Sequence, residues 1–406
     1  MKNKILYLPI ERASRELDSR LKIKQYFESK GFVVKLYNSV FFHAIFPILR
    51  SGYVLENDIT YQSNKLLVIL RKCGFRIFTQ DEEAYGDYSL DLYFKQRFYQ
   101  ENLKLVEHHF FKGKEDLEYF KLNIDNKTSN LFSIANNYRF LRENMTVLNN
   151  EHKVKERLTS FKSTFKKVIL ISSKFSMVNR IDKTFDLDSI ISKRIKKFNL
   201  DENAKYLSTN HLRYCKKLFE SCLNDYFILV SKFPDYLFVI RNHPGEDLTC
   251  WNNIFSGFKN VVFDNSFTFI DWAKHSDLII HNGSTSGLEA FILGRQVIYY
   301  NPLIFDDSII NSLQKETSLY VSTIDDLCEK AKLDLLFSED EYINRLNYLK
   351  SSIDFSTDFS HKLYDVISEA ADPEFKLFSR ISYIFSKVFV YKLLVLMRKN
   401  IPIYEY

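Results

Sequence analysis

Two short stretches of the chain combine residue types that handle phosphate. Arg241-Asn242-His243-Pro244 closes an apolar run, Tyr236-Leu237-Phe238-Val239-Ile240. Asn282-Gly283-Ser284-Thr285-Ser286 follows a second run, Leu278-Ile279-Ile280, with Glu289 a turn further on. His243 and Arg241 can offer a proton or positive charge to a departing phosphate. Gly283 and Gly287 let the backbone come close to a ligand. Ser284, Thr285 and Ser286 offer hydroxyls and cap a helix whose N–H groups attract an anion. Glu289 is spaced to accept hydrogen bonds from a ribose diol. Either stretch alone reads as a turn or a cap; the two together, with Glu289, point to a nucleotide-phosphate site. A third group, Asp81-Glu82-Glu83, follows the apolar Phe75–Phe78. Three acids there suit a general base or a nucleophile, and they equally suit the first turn of a helix.

The elements that must position these groups are short apolar runs alternating with helical segments, the pattern of βαβ units in a parallel sheet. Ligands of such sheets sit at the carboxyl ends of the strands, where all three groups fall. Lys4–Leu8 and Phe32–Leu36 read as strands around a helix that begins at Ser14 and ends at Gly31. No Gly-x-Gly-x-x-Gly follows the first strand, which excludes a dinucleotide cofactor. Tyr61–Lys72 reads as a helix and Leu105–Phe111 as a strand, with His108 and His109 in packing roles. The polar run 149–163 reads as a linker. Beyond it Val168–Ile171 opens a second sheet, with Ser172-Ser173-Lys174 in its turn. Asp182–Leu200 reads as a charged surface excursion, and Lys205–Lys232 as one long helix. After Val297–Tyr300 the chain reads as helices through Ala371.

A strand ending in Arg-x-His-Pro, followed by a strand, Asn-Gly-Ser-Thr-Ser and a helix carrying Glu, resembles the nucleotide-binding half of GT-B glycosyltransferases. The likeness is to bacterial surface carbohydrate biosynthesis proteins, in the style of Kdo and sialic-acid transferases; CDP-glycerol-type polyol-phosphate transferases carry similar motifs. Asn242 stands where that family usually has Pro. Pro9, Glu11, Arg15, Glu16, Leu17 and Asp18 match the family's opening motif, and Asp81-Glu82-Glu83 has a counterpart there too. Ile134–Phe140 looks like a degraded form of its Gly-Asn-Pro-Arg loop.

The resemblance implies an α/β fold of the GT-B kind, two Rossmann-like domains facing across a cleft: residues 1–160 for acceptor and catalysis, 161–330 for the nucleotide sugar, 331–371 as helices and 372–406 as a tail. It implies a metal-independent glycosyltransferase that moves a Kdo- or nonulosonic-acid-type sugar from a CMP donor to a glycan or glycolipid acceptor in capsule or lipopolysaccharide synthesis. His243, Arg241, Pro244, Asn282, Gly283, Ser284, Thr285 and Ser286 would hold the donor, and Glu289 its ribose. Asp81, Glu82 or Glu83 would be base or nucleophile, with Glu11, Arg12 and Arg15 toward the acceptor. Two alternatives stay open: transfer of a polyol phosphate from a CDP-linked donor, and a non-catalytic scaffold of glycan assembly.

Composition sets the outer bounds. At 406 residues and 46% hydrophobic content the chain can bury two domain cores. Abundant aromatics, 37 Phe and 25 Tyr, against 10 Gly and 7 Pro exclude a low-complexity chain. Five cysteines without Cys-x-x-Cys suggest neither a disulfide framework nor a zinc knuckle. No His/Cys/Asp cluster has ligand spacing, so no metal and no cofactor beyond the donor is expected. The formal charge of +6 is modest, and no nucleic-acid partner is expected. No apolar run is long enough for a signal peptide or a membrane span, which places the protein in the cytosol. Residues Phe375–Lys399 read as a basic amphipathic helix. Lys376, Arg380 and Lys387 lie near one face, and Phe378, Ile381, Phe385, Val388 and Phe389 cover much of the rest. That is the signature of contact with an anionic membrane surface; the plainer reading is a terminal helix packed on its domain.

Overall fold

The computed structural model describes residues 4–384, apart from 82, 86–88, 124–130, 137, 141–155, 158, 162, 181–185, 265–266, 305–311 and 335. The chain folds as two compact units. The first takes Met1–Ala84, Phe94–Asn144 and Ser351–Tyr406, and the second takes Tyr85–Tyr93 and Met145–Lys350.

In the first unit six strands run parallel: β1 (Ile5–Ile10), β2 (Val33–Asn38), β3 (Tyr53–Glu56), β4 (Arg76–Gln80), β5 (His108–Phe111) and β6 (Phe132–Ile134). Their spatial order is β2-β1-β3-β4-β5-β6, so the chain reverses its direction of travel beside β1. The Ala13–Ser29 helix packs Ile23 and Phe27 on this sheet. Much later in the chain, Phe359, Leu363 and Ile367 of the Phe359–Glu369 helix join the same core.

The second unit repeats the plan with β7 (Lys167–Ser172), β8 (Tyr236–Arg241), β9 (Val261–Phe263), β10 (Leu278–His281), β11 (Val297–Tyr300) and β12 (Leu319–Val321). The order is β12-β11-β10-β7-β8-β9, again parallel throughout. Central strands are covered on both faces, which is why β7, β8 and β10 are nearly continuous apolar runs. A 31-residue helix, Glu202–Lys232, buries Leu218, Cys222, Tyr226 and Leu229 in the core of this unit. Asp201 caps its start by accepting from the Ala204 N–H at 2.8 Å.

Three expectations need correction here. Residues 187–198 form an amphipathic helix that buries Ile191 and Phe198, not a charged excursion. The stretch after Tyr300 is not wholly helical, because β12 adds an edge strand. The tail does not present Arg380 on a cationic face. Arg380 is only 2% exposed, and its guanidinium donates to the carbonyls of Pro47, Leu49 and Cys73 and to Ser51 Oγ. The Leu377–Ile384 helix is therefore docked on the first unit; Phe385, Lys387, Val388 and Phe389 lie outside the described residues.

Candidate functional site

Strand register builds the site. Across three neighbouring strands of the second unit, His281 of β10 is level with Ser172 of β7, which is level with Arg241 of β8. The loops that follow therefore start side by side. The reversal in strand order falls between β7 and β10, the crevice where open α/β sheets take their ligands. Two hydrogen bonds join the β7 and β10 ends: Ser172 Oγ to Ser286 Oγ at 2.7 Å, and Lys174 Nζ to the Gly283 carbonyl at 3.3 Å.

The Asn282–Ser286 loop is held from below by His281. Its buried ring accepts from the Gly283 N–H through Nδ1 (3.1 Å), which leaves the proton on Nε2 to meet Ser318 Oγ at 2.9 Å. The ring stacks on Tyr299 with centroids 5.1 Å apart. Burial pushes its pKa down to about 3, with Lys174 adding to the effect, so it is a neutral framework group. Gly283 has φ of +84°, a left-handed turn that favours glycine. Gly287 has a different role from the expected close approach to a ligand: the space beside its Cα is filled by the His281 ring.

Asn282, expected to contact the donor, is fully buried. Its Nδ2 donates to the Tyr300 carbonyl (2.8 Å) and toward Cys222 Sγ (3.1 Å), and its Oδ1 accepts from Tyr226 OH (2.8 Å). It pins β10 to β11 and to the long helix; its side chain is part of the frame. Ser284 caps the Thr285–Ile292 helix, accepting from the Ser286 N–H at 3.3 Å and from Ser286 Oγ at 2.8 Å. Ser284 and Thr285 are half-buried at this helix N-terminus, while Ser286 and Glu289 are buried.

On β8, Arg241 donates to the carbonyls of Asp264 and Phe267. Burial lowers its pKa, opposed by the charges of Asp264, Asp271 and Glu289. His243-Pro244-Gly245-Glu246 is a tight turn closed by Glu246 N–H to the His243 carbonyl at 2.8 Å. Pro244 is exposed at its tip. The Gly245 N–H donates to His243 Nδ1 at 3.0 Å, which selects the tautomer whose Nε2 carries the proton.

Glu246 is the residue that sequence reading missed. Its buried carboxylate accepts from Ser173 Oγ (2.5 Å), the Phe175 N–H (2.6 Å), the His243 N–H (3.3 Å) and Trp251 Nε1 (3.2 Å). It thereby ties the His243 turn to the loop after β7. Burial pushes its pKa up to about 7, against the pull of those four donors. In the sequence it is one acid in a polar turn, with nothing to mark it as buried. Ser173, bonded to Glu246, and Lys174, bonded to the Gly283 carbonyl, bring the turn after β7 into the site.

The acids of the first unit divide. Asp81 is buried at the end of β4, and Arg97 grips both its oxygens, Nε to Oδ2 at 2.7 Å and Nη2 to Oδ1 at 2.8 Å. The Glu83 N–H also donates to Oδ1, at 2.9 Å. Burial raises the Asp81 pKa and Arg97 opposes it. This carboxylate anchors the turn. Glu83 is half-buried; Glu82 lies outside the described residues. Asp81→Asn is expected to destabilise the first unit by about 3 kcal/mol, because it leaves the half-buried Arg97 guanidinium poorly paired. Glu83→Gln should leave the unfolding midpoint nearly unchanged. Thermal melts of both variants followed by far-UV circular dichroism check this, and equal midpoints would sink the division of roles.

Glu11 and Arg12 are exposed after β1, and Arg15 lies in the first turn of the helix that follows, its side chain outside the described residues. Their loop is shaped by Glu16, which accepts from the N–H groups of Glu11 and Arg12 at 3.0 Å each and from Asn57 Nδ2 at 3.1 Å. His108 and His109 are neutral packing groups, their pKa values lowered by burial to about 4 and about 3, with partners Ser133 and Thr79. Among the described residues no group of three or more His, Cys, Asp or Glu is placed to hold a metal ion.

No protein-family model matches the sequence, and comparison with curated proteins finds no match either. Solved structures do match. One of the wall teichoic acid polymerase TagF is 12% identical, over 90% of this chain and 88% of its own, with a TM-score of 0.51. Another TagF structure, soaked with CDPG, is 11% identical over 94% and 90%, with a TM-score of 0.50. A co-structure of S. aureus MnaA with UDP is 10% identical over 92% of this chain and 100% of its own, also at 0.51. At such identity the likeness speaks for the fold, and with the two doubly wound sheets it makes this chain a protein of the GT-B fold.

Proposed function

We propose that this protein is a transferase of bacterial cell-surface glycan assembly that uses a nucleotide-linked donor, bound at the carboxyl ends of β7, β8 and β10. The observation that carries the reading is the level alignment of His281, Ser172 and Arg241, which gathers three loops at the reversal of strand order. The Thr285–Ile292 helix N-terminus, Ser284, Thr285 and Lys174 supply N–H, hydroxyl and ammonium groups to the donor phosphate. His243 donates through Nε2 to the phosphate oxygen on which charge develops as the nucleotide leaves. Glu289 faces the ribose, and Arg241 shapes the site through its two carbonyl contacts.

With Asp81 bound to Arg97, the base that takes the proton of the attacking acceptor hydroxyl is Glu83 or Glu82. The sequence resemblance favours a CMP donor carrying a Kdo- or nonulosonic-acid-type sugar. The likeness to TagF, one of whose structures is soaked with CDPG, favours a CDP-linked polyol phosphate instead. Both readings share a cytidine nucleotide, and the acceptor in both is a glycan or glycolipid.

The test is a thermal-shift screen with CMP, CDP, UDP and GDP. A ligand at a hundred times its Kd stabilises the folded form by about 2.7 kcal/mol. A cytidine nucleotide is expected to raise the midpoint most, and His243→Ala to abolish the shift while changing the ligand-free stability by no more than about 1 kcal/mol. No shift with any nucleotide, or an undiminished shift in His243→Ala, defeats the assignment.

A further inference from the structure

The C-terminal helix Leu377–Ile384 is held to the first unit by its own polar residues, and this leaves an apolar edge outside. Arg380, besides its four hydrogen bonds, lies between two aromatic rings, 4.5 Å from the centroid of Phe375 and 5.4 Å from that of Phe75. Tyr383 is buried and stacks on Phe46 at 5.9 Å. The approach to the helix is fixed as well: the Glu374 carbonyl accepts from Ser51 Oγ at 2.8 Å, and the Glu374 N–H donates to the Gly74 carbonyl at 3.1 Å. With positions 380 and 383 turned inward, helical spacing places 378 and 381 on the opposite side and 377 on the flank. Phe378 is 88% exposed, and Leu377, Ile381 and Phe375 are exposed too. Ile48 adds to them at 64% exposure, sitting between Pro47 and Leu49, whose carbonyls Arg380 holds.

Single exposed apolar residues are ordinary, but five large ones gathered around one docked helix mark a contact surface. The charge pattern says what kind. From Phe375 to Tyr404 the sequence has five basic residues besides the inward-facing Arg380, namely Lys376, Lys387, Lys392, Arg398 and Lys399, and no Asp or Glu. A second copy would set this cationic segment against itself. An anionic bilayer satisfies both halves, headgroups for the ammonium groups and the acyl boundary for the rings. None of the described helices is long and apolar enough to cross a membrane.

We propose that Phe375, Leu377, Phe378, Ile381 and Ile48 form an edge that inserts shallowly into an anionic lipid surface, with Arg380 as the clasp that orients it and not as a headgroup ligand. The inference does not depend on the donor reading. The test uses the full chain and vesicles of phosphatidylcholine, with and without phosphatidylglycerol. The protein should sediment with the anionic vesicles, less so as salt rises, and not with neutral ones. Phe378→Glu/Ile381→Glu should weaken binding at least about tenfold, the scale of losing two buried apolar anchors. Both positions are exposed, so the variant should keep its melting midpoint and its nucleotide shift. Equal binding by variant and wild type, binding to neutral vesicles alone, or no binding at all overturns the proposal. So does a dimer in light scattering that the double variant converts to monomer, since the occupant is then a second copy.

Discussion

Gly287→Ala is expected to destabilise the second unit by about 4 kcal/mol, the sum of overpacking and of hydrogen bonds broken in a buried place. A Cβ there would lie 2.5 Å from Cδ2 and from Cε1 of His281. The ring has nowhere to retreat. The Gly283 N–H, Ser318 Oγ and Tyr299 fix it on three sides, so any movement releases the turn that shapes the Asn282–Ser286 loop. The variant should therefore lose nucleotide binding along with stability. Trp251 and Trp272 are the only tryptophans and both belong to the second unit, so denaturant melts followed by their emission report on this unit alone. His281→Ala also destabilises, but adding it to Gly287→Ala should cost less than the sum, because it removes the clash. A Gly287→Ala protein within about 0.5 kcal/mol of wild type would refute the account.

The second large effect is a change in how stability follows pH when Glu246 is replaced. The folded-state pKa of Glu246 is raised, from 4.5 to about 7, so the folded form takes the proton first and acidification through that window adds stability. The folded-state pKa of His281 is lowered, from 6.5 to about 3; there the unfolded form takes the proton first, and acidification below 6.5 removes stability. At about 1.4 kcal/mol per unit, the gain from Glu246 and the loss from His281 down to pH 4.5 are each about 3 kcal/mol. The two nearly cancel. The second unit of the wild-type protein should thus be close to level between pH 7 and about 4.5, then lose stability steeply toward pH 3. Glu246→Gln removes the compensating group, so decline should begin near 6.5. Urea midpoints from tryptophan emission across this range decide it, and parallel profiles for the two proteins would show that the two groups do not govern the profile.

What the sequence discloses, and what it hides, follows from the range of the interactions. β11 is legible to the residue, Val297–Tyr300, because four apolar residues between Gln296 and Asn301 have one reading. β7, β8 and β10 are legible for the same reason. The edge strands β9 and β12, three residues each, are too short to carry a pattern, and β3 lies inside a mixed stretch. The Asn282–Ser286 stretch is legible as a loop, but the division of labour within it is not. Asn282 meets Tyr226 and Cys222, which lie 56 and 60 residues away, and only the folded chain shows that its amide is occupied. Asp81 reads as one of three equal acids until Arg97 folds back on it. Arg380 reads as one cation of a basic face until the carbonyls of the Pro47–Leu49 turn come to meet it.

The first unit is assembled from three separate stretches, and this bears on how the protein is made. Its sheet is complete in the nascent chain once β6 has emerged, yet Phe359, Leu363 and Ile367, and the Arg380 clasp, are synthesised more than 200 residues later. At about 5–20 residues per second the ribosome needs roughly 10–45 s to reach them. During that interval Met145–Lys350 is produced, which with the earlier Tyr85–Tyr93 makes up the second unit. The half encoded first is thus completed last, and the sheet face awaiting the Phe359–Glu369 helix is the surface a chaperone would have to shield.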